Sequence, residues 1–228
     1  MTEPGRFDTV RTDRLLMRRW LDSDRGPFAA LNADPETMVF FPRTLDRQAS
    51  DRLVDLIEER FDQQGFGLWA LEVAGTGEFT GFTGLNPMPD EVPGAGGVEV
   101  GWRLDRHAWH NGYATEAATA AVGVAFDGVG LEEIWSMTAV LNEPSQAVMR
   151  LGLTEVARFD HPGIPAGHPL QPHVTYHRPR RTWAPGWFSK TNQVRAEGRP
   201  RAAPGDAAAI LGRDGDRRQQ QAGVAGPR

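Results

Sequence analysis

The sequence predicts a mixed α/β domain carrying a basic appendage, and three observations predict it. Alternating apolar runs of strand length are interleaved with runs at helical spacing. One of the strands, Val98 to Leu104, leads through the glycine-bearing turn W-H-N-G-Y-A-T (Trp109 to Thr115) into an alanine-rich helix. After Tyr176 the chain becomes rich in Arg, Pro, Gly, Ala and Gln, with little to bury.

Thr12 to Trp20 alternates apolar residues and reads as a first strand. Asp22 or Ser23 is placed to cap a helix through Phe28, Ala29 and Leu31. Leu53, Leu56, Ile57 and Phe61 recur at helical spacing, so Arg47 to Gln64 reads as an amphipathic helix stopped by Gly65 and Gly67. Leu68 to Val73 and Phe79 to Leu85 read as strands joined by a hairpin turn at Gly75-Thr76-Gly77. A Pro/Gly loop, Pro87 to Gly97, precedes the central strand Val98 to Leu104. Tyr113 to Phe126 is expected to be helical, Glu133 to Ala139 a strand, and Asn142 to Leu151 a short helix with Pro144 in its first turn. Thr154 to Phe159 and His173 to His177 read as the last strands. The domain is expected to span residues 9–177, and residues 178–228 to form a basic tail. The tail is expected to be disordered from about Ser189, with a transient helix at Asp206 to Leu211.

The 228 residues carry a formal net charge of −5, which hides an asymmetry. Up to His177 there are 14 Lys/Arg against 26 Asp/Glu, a net of −12; from Arg178 onward there are 11 against 4, a net of +7. An acidic body favours cationic substrates such as amines and disfavours nucleic acid, unless the tail contacts RNA. There is no cysteine, hence no disulfide, thiolate metal site or cysteine nucleophile. No His/Asp/Glu set has metal-ligand spacing, so no metal is expected. Residues 1–10 lack an apolar signal core, and no apolar run nears the roughly 18 residues of a membrane span. A cytoplasmic protein is expected, either monomer or homodimer.

The turn itself has a physical reading. A helix start offers free backbone N–H groups, and Gly112 allows close approach, so an anion such as a pyrophosphate fits there. An ordinary βα turn fits the local pattern too.

The run V-E-V-G-W-R-L-D-R-H-A-W-H-N-G-Y-A-T-E-A resembles motif A of the GNAT superfamily of N-acetyltransferases. Its Gln/Arg-x-x-Gly-x-Gly/Ala signature falls on Trp109, Gly112 and Ala114. N-E-P-S-Q-A-V-M-R-L-G-L (Asn142 to Leu153) resembles motif B. T-D-R-L-L-M-R-R-W (Thr12 to Trp20) and G-F-G-L-W-A-L-E (Gly65 to Glu72) are similar to the first strands of the ribosomal-protein N-terminal acetyltransferase (RimJ/RimL-like) branch, where Trp at the Gln/Arg position is usual. The resemblance runs from about Thr9 to Tyr176. It implies a central, mostly antiparallel sheet splayed at Val98 to Leu104, helices on both faces, acetyl-CoA as co-substrate, and a primary amine as acceptor, on a small molecule or a protein N-terminus.

The resemblance also implies roles. Trp109, His110, Asn111, Gly112, Tyr113, Ala114 and Thr115 would cradle the pyrophosphate, although the family usually has Gly and a basic residue where His110 and Asn111 stand. The backbone of Trp102, Arg103 and Leu104 would pair with the pantetheine. Asn142 would contact the same arm, or simply cap its helix. Glu99, a carboxylate in an apolar strand, is the candidate base acting through water; it is otherwise an outward-facing structural glutamate. A strand bulge usual in the family would re-aim its neighbours. Glu116, in the first helical turn, is explained by the helix dipole without catalysis. Met149 stands where many members have a proton-donating tyrosine, so Ser145 is the candidate hydrogen-bond donor to the sulfur. The region of His161, His168 and His173 and the segment Phe40 to Arg43 would border the acceptor. Motif B is one residue short between its Val-Met and Leu-Gly pairs. The lost residue rotates the downstream chain by about 100° and shifts it about 1.5 Å, misplacing Leu151 unless Gly152 absorbs it. A catalytically weak or inactive acyl-CoA-binding protein is therefore the alternative.

Overall fold

The computed structural model describes residues 7–184. The basic segment from Ser189 and the helix expected at Asp206 to Leu211 lie outside the described residues. Eight strands form one sheet in the order β1-β2-β3-β4-β5-β6-β8-β7. They are β1 (Thr9–Arg11), β2 (Leu15–Arg18), β3 (Leu68–Val73), β4 (Phe79–Pro87), β5 (Val98–Leu104), β6 (Glu133–Ala139), β7 (Thr154–Asp160) and β8 (Pro172–Pro179). Four helices accompany them: α1 (Arg25–Ala33), α2 (Arg47–Gln64), α3 (Tyr113–Gly123) and α4 (Glu143–Met149). Every neighbouring pair is antiparallel except β5 and β6. The expected fold class, a mixed α/β GNAT fold with a mostly antiparallel sheet, is what the chain adopts.

Several boundaries moved for local reasons. The single strand expected at Thr12 to Trp20 is a hairpin. The Thr12 hydroxyl accepts from the Leu15 N–H at 2.9 Å and turns the chain between β1 and β2. Neither Asp22 nor Ser23 caps α1. A short 3-10 turn, Asp22–Asp24, precedes the helix, and Asp24 is drawn to Arg18 at 2.7 and 3.0 Å instead. α2 begins where expected because the Asp46 carboxylate accepts from the Ala49 N–H (2.7 Å), and it ends at Gly65, left-handed at φ 73°. α3 gives way at Val124 to one π-turn, Val124–Val129.

β5 fixes which face does what. Its β4 register runs unbroken from Gly81↔Leu104 to Pro87↔Val98, so the expected bulge is absent. Val98, Val100 and Leu104 are buried, with Val100 and Trp102 facing α3. Glu99, Gly101 and Arg103 project to the opposite face, toward α1 and α2. Part of that face is covered by Trp20, Phe28, Phe79 and Phe82, whose rings tilt against one another at 4.6–6.4 Å.

The expected domain end at His177 falls inside β8, which continues to Pro179. Trp183 then packs on Phe126 at 5.5 Å and donates to Asp127 at 3.0 Å. The basic composition starting at Arg178 concealed this packing.

Candidate active site

The sheet parts in its middle. β5 and β6 pair at one position, Glu99↔Trp135, and the Ser136 hydroxyl donates to the Val100 carbonyl at 2.8 Å. Beyond Val100 the strands diverge. Alternation along the strand then assigns the backbone groups. The Gly101 carbonyl faces β4, where Thr83 donates to it at 2.9 Å. The backbone of Trp102 therefore faces the opening, as does the Leu104 carbonyl, which the Trp109 indole takes at 2.9 Å. Arg103 is paired to Phe82 of β4, so of the three residues expected to offer backbone to a ligand it is the one turned away. An open cleft occupies the splay, lined by Val100, Trp102, Ala118, Val122, Leu151 and Leu153, with Arg178 and Trp183 beside them.

The cleft leads to the turn before α3. His110 sits at φ 61° and Gly112 at φ 76°, both left-handed. Glycine adopts this conformation freely, whereas histidine is strained by roughly 1–2 kcal/mol. The first helical bond is Glu116 N–H to Gly112 C=O (3.1 Å), which leaves the N–H groups of Tyr113, Ala114 and Thr115 facing out at the positive end of the helix. Arg14, from the β1–β2 turn, braces this cradle. It donates to the Asn111 carbonyl (2.7 Å), stacks over Tyr113 (4.9 Å) and pairs with Glu116 (2.6 Å). Burial pushes the Glu116 carboxyl up, but bonds from Thr12 and Arg14 outweigh it and hold the pKa below the ordinary value. Glu116 thus ties the hairpin to α3, and that accounts for it without catalysis.

Glu99 stands at the root of the splay. Its carboxylate accepts from Asn86 at 3.2 Å, and Arg60 of α2 in turn donates to the Asn86 amide oxygen. Burial raises its pKa to about 7, against the opposing pull of Asn86 and then Arg60. Nothing in the sequence paired Glu99 with Asn86 and Arg60, because the long Pro87 to Gly97 loop hides the β4–β5 register.

Arg103 lies on the same face, four residues along. It donates to Asn32 of α1 at 2.5 Å and stacks over Phe41 at 4.1 Å. Burial lowers its pKa to about 10.

Across the cleft, Asn142 caps α4. Its carbonyl oxygen accepts from the Ser145 N–H (3.2 Å) and its amide donates to Thr138 (2.9 Å). Ser145 is partly exposed at the start of α4, whereas Met149 is buried against Val174 and Tyr176. The short helix ends in tightened turns, Leu151 N–H to Val148 C=O (3.2 Å) and Gly152 N–H to Met149 C=O (3.1 Å). Leu151, within these turns, is 58% exposed.

The segments expected to border an acceptor do meet. Phe40 packs against Ala139, Ile164 and Leu170. His173 stacks with His161 at 4.7 Å, and burial holds both below the ordinary histidine pKa. The His168 ring accepts from the Leu170 N–H (3.1 Å) and so holds its own loop.

A sequence model described as "Acetyltransferase (GNAT) domain" matches residues 14–154. The chain belongs to the GNAT acetyltransferase family. This acetyltransferase is 34% identical over 189 residues to the FsC-acetyl coenzyme A-N(2)-transacetylase of Aspergillus fumigatus, covering 77% of each chain. Among solved structures it is similar to a GNAT-family acetyltransferase from Bacillus anthracis (TM-score 0.64, 20% identical, 76% of this chain and 99% of that one). It is also similar to RimL, a ribosomal L7/L12 alpha-N-protein acetyltransferase solved in complex with coenzyme A (TM-score 0.60, 16% identical, 75% and 97%). The chain is therefore an acetyltransferase of a family that uses acetyl-CoA. Among the described residues no helix is long and apolar enough to cross a membrane.

Proposed function

We propose that this acetyltransferase passes acetyl from acetyl-CoA directly to a primary amine, on a small molecule or a protein N-terminus, at the splay of β5. The observation that carries the reading is the continuity of three features. β5 loses its β6 partner after Val100, Trp102 then turns its backbone to the cleft, and the cleft runs to a helix start held in left-handed geometry.

The fit to the co-substrate is direct. The exposed N–H groups from Tyr113 to Thr115, with Trp109, His110, Asn111 and Gly112 shaping the turn, would hold a pyrophosphate. Trp102 and Leu104 would pair with an amide-bearing arm as an added strand does. Asn142 would face the same arm from α4. When bound, the thioester supplies the activated acyl group.

The chain's own part is proton handling and charge placement. Glu99, with its pKa near 7, accepts the proton that an ammonium must lose before it attacks, through a water at the splay. Backbone N–H groups at the opening polarise the carbonyl. The Ser145 hydroxyl hydrogen-bonds the departing sulfur, a place that buried Met149 cannot fill. No acyl-enzyme is needed, in keeping with a chain that has no cysteine.

We take the domain to include all of β8 and Trp183, rather than to end at His177, with the basic sequence beyond as an appended segment. Branch membership with the ribosomal-protein N-terminal acetyltransferases is supported by T-D-R-L-L-M-R-R-W and Trp109. A second reading, a catalytically weak acyl-CoA-binding protein, is favoured by one observation, the shortened α4 with Leu151 left outside.

Calorimetric titration with acetyl-CoA, beside a Gly112→Asp variant, tests the site; thiol release with an amine panel tests turnover. Micromolar binding that the variant loses supports the proposal. Binding without thiol release from any amine favours the second reading, and no binding by the unsubstituted protein overturns both.

A further inference from the structure

We propose that Arg103 is the specificity-determining residue of the acceptor site, and that the acceptor amine carries a carboxylate which this guanidinium receives. The inference rests on the acetyltransferase reading of the β5 splay and names the acceptor class.

The placement comes first. Glu99, Gly101 and Arg103 share the face of β5 that looks toward α1 and α2, away from the α3 side. A Cβ built on Gly101 would meet nothing within 4 Å, so the space over this glycine is open. Along the strand the slot is bounded by Glu99 at one end and Arg103 at the other, four residues or roughly 13 Å of extended chain apart. A small molecule over Gly101 therefore has a proton acceptor on one side and a fixed cation on the other.

The charge of Arg103 comes next. Six of the ten other described arginines between Arg11 and Arg106 have a carboxylate within ion-pair distance. Arg18 has Asp24 and Glu72, Arg19 has Glu58 and Asp62, Arg25 has Asp55, and Arg106 has Asp34 and Glu36. Among the described residues no carboxylate lies within ion-pair distance of Arg103, although the body of the chain is strongly acidic. Its hydrogen-bonding partner is the neutral Asn32, itself fully buried and fixed by Ser50 (2.9 Å), and its Nε is buried with no acceptor. Phe41 and Phe82 hold the guanidinium plane at 4.1 and 5.4 Å. A buried cation left uncompensated is costly. This one is rigidly aimed, keeps part of its surface open, and has donor capacity to spare. A guanidinium fork matches a carboxylate in geometry, and the pair is strongest where water is scarce. The acceptor would thus bind as a zwitterion, ammonium toward Glu99 and carboxylate toward Arg103. The acidic body draws in the ammonium, and Arg103 fixes the other end.

The test uses the full-length protein with saturating coenzyme A. It is titrated in the calorimeter with a series of N-acetyl amino acids and with the matching C-terminal amides, which mimic the product with and without the charge. At least tenfold tighter binding of the acid in one or more matched pairs is expected. Arg103→Gln should bring that ratio to about one, a readout that a merely structural role would not move, since general damage weakens both members alike. Should Arg103→Gln lose its cooperative melt, Arg103→Lys decides: it keeps the charge but not the fork, and the ratio should fall at least threefold. Equal binding of acid and amide, no binding of either series, or a preference that survives the substitution overturns the proposal. Acetyl-CoA titration of the same preparation separates the two levels. Bound acetyl-CoA with acceptors indifferent to charge sinks the carboxylate assignment alone, and no acetyl-CoA binding sinks the acetyltransferase reading with it.

Discussion

The two walls of the cleft hold their backbones in opposite ways. At the turn before α3, a histidine takes the left-handed shape (φ 61°) that favours glycine. At the end of α4 the last turns are tightened to i→i−3 bonds and Leu151 is left in solvent. The difference lies in what surrounds each segment. The turn is gripped by Arg14 on Asn111, by Trp109 on Leu104 and by the Glu116 latch, so the strain is carried locally. The end of α4 abuts an open cleft, so geometry yields there before energy accumulates. Side-chain identity gives way where the backbone is over-determined, and backbone position gives way where it is not.

The largest effect should come from the group at the root of both walls. Glu99→Gln is expected to lower kcat/KM by roughly 10²- to 10⁴-fold. In the unsubstituted enzyme, activity should climb as pH rises through about 7, where Glu99 loses its proton, and the substitution should flatten that limb. Rates measured between pH 5.5 and 9 check this. Stability should run the other way. The folded-state pKa lies above the ordinary carboxylate value, so the contribution is fully present below about pH 4.5 and is lost as pH rises toward about 7. Melting temperatures of the two proteins should therefore converge at low pH, with Glu99→Gln the more stable above pH 7.

Next comes the restoration of α4. Inserting one residue between Met149 and Arg150 should return Leu151 to the core and add about 1–2 kcal/mol, read as a higher denaturation midpoint at unchanged slope. An unchanged or lower midpoint would mean that the tightened turn is the preferred packing, and the contrast between the walls would fail.

Arg14→Ala should cost about 1 kcal/mol, because half of that side chain is exposed and screening limits the Glu116 pair. It should also weaken acetyl-CoA binding by loosening the turn. The smallest effect is reserved for His110→Gly. Relief of the left-handed strain should stabilise the fold by up to about 1 kcal/mol, partly offset by the added freedom of the unfolded chain. A destabilising His110→Gly would show that the imidazole, and not the backbone, matters at this position.

Much of this was legible in the sequence because it is local. The periodicity of Arg47 to Gln64, the cap-and-glycine bracket around it, and the alternation from Val98 to Leu104 depend on near neighbours, and those elements form at the expected residues. Strand–turn–helix order placed Gly112 at a helix start, and parity placed Glu99 opposite Val98 and Val100. What was misread had a long-range cause. Thr12 breaks the first strand into a hairpin that docks on Glu116, 104 residues away. Trp183 packs on Phe126 although its surroundings read as tail.

Fold class, family and the glycine turn at the start of α3 were already present in the order of residues, since each is written in spacing along one stretch of chain. The electrostatics of the site came only with the packed domain: Glu99 is partly buried beside Asn86 and Arg60, and Arg103 faces Asn32 and Phe41 with no carboxylate within ion-pair distance among the described residues. Charge energies depend on distances between elements far apart in sequence and on the water excluded between them, and neither quantity exists until the sheet and its helices have closed.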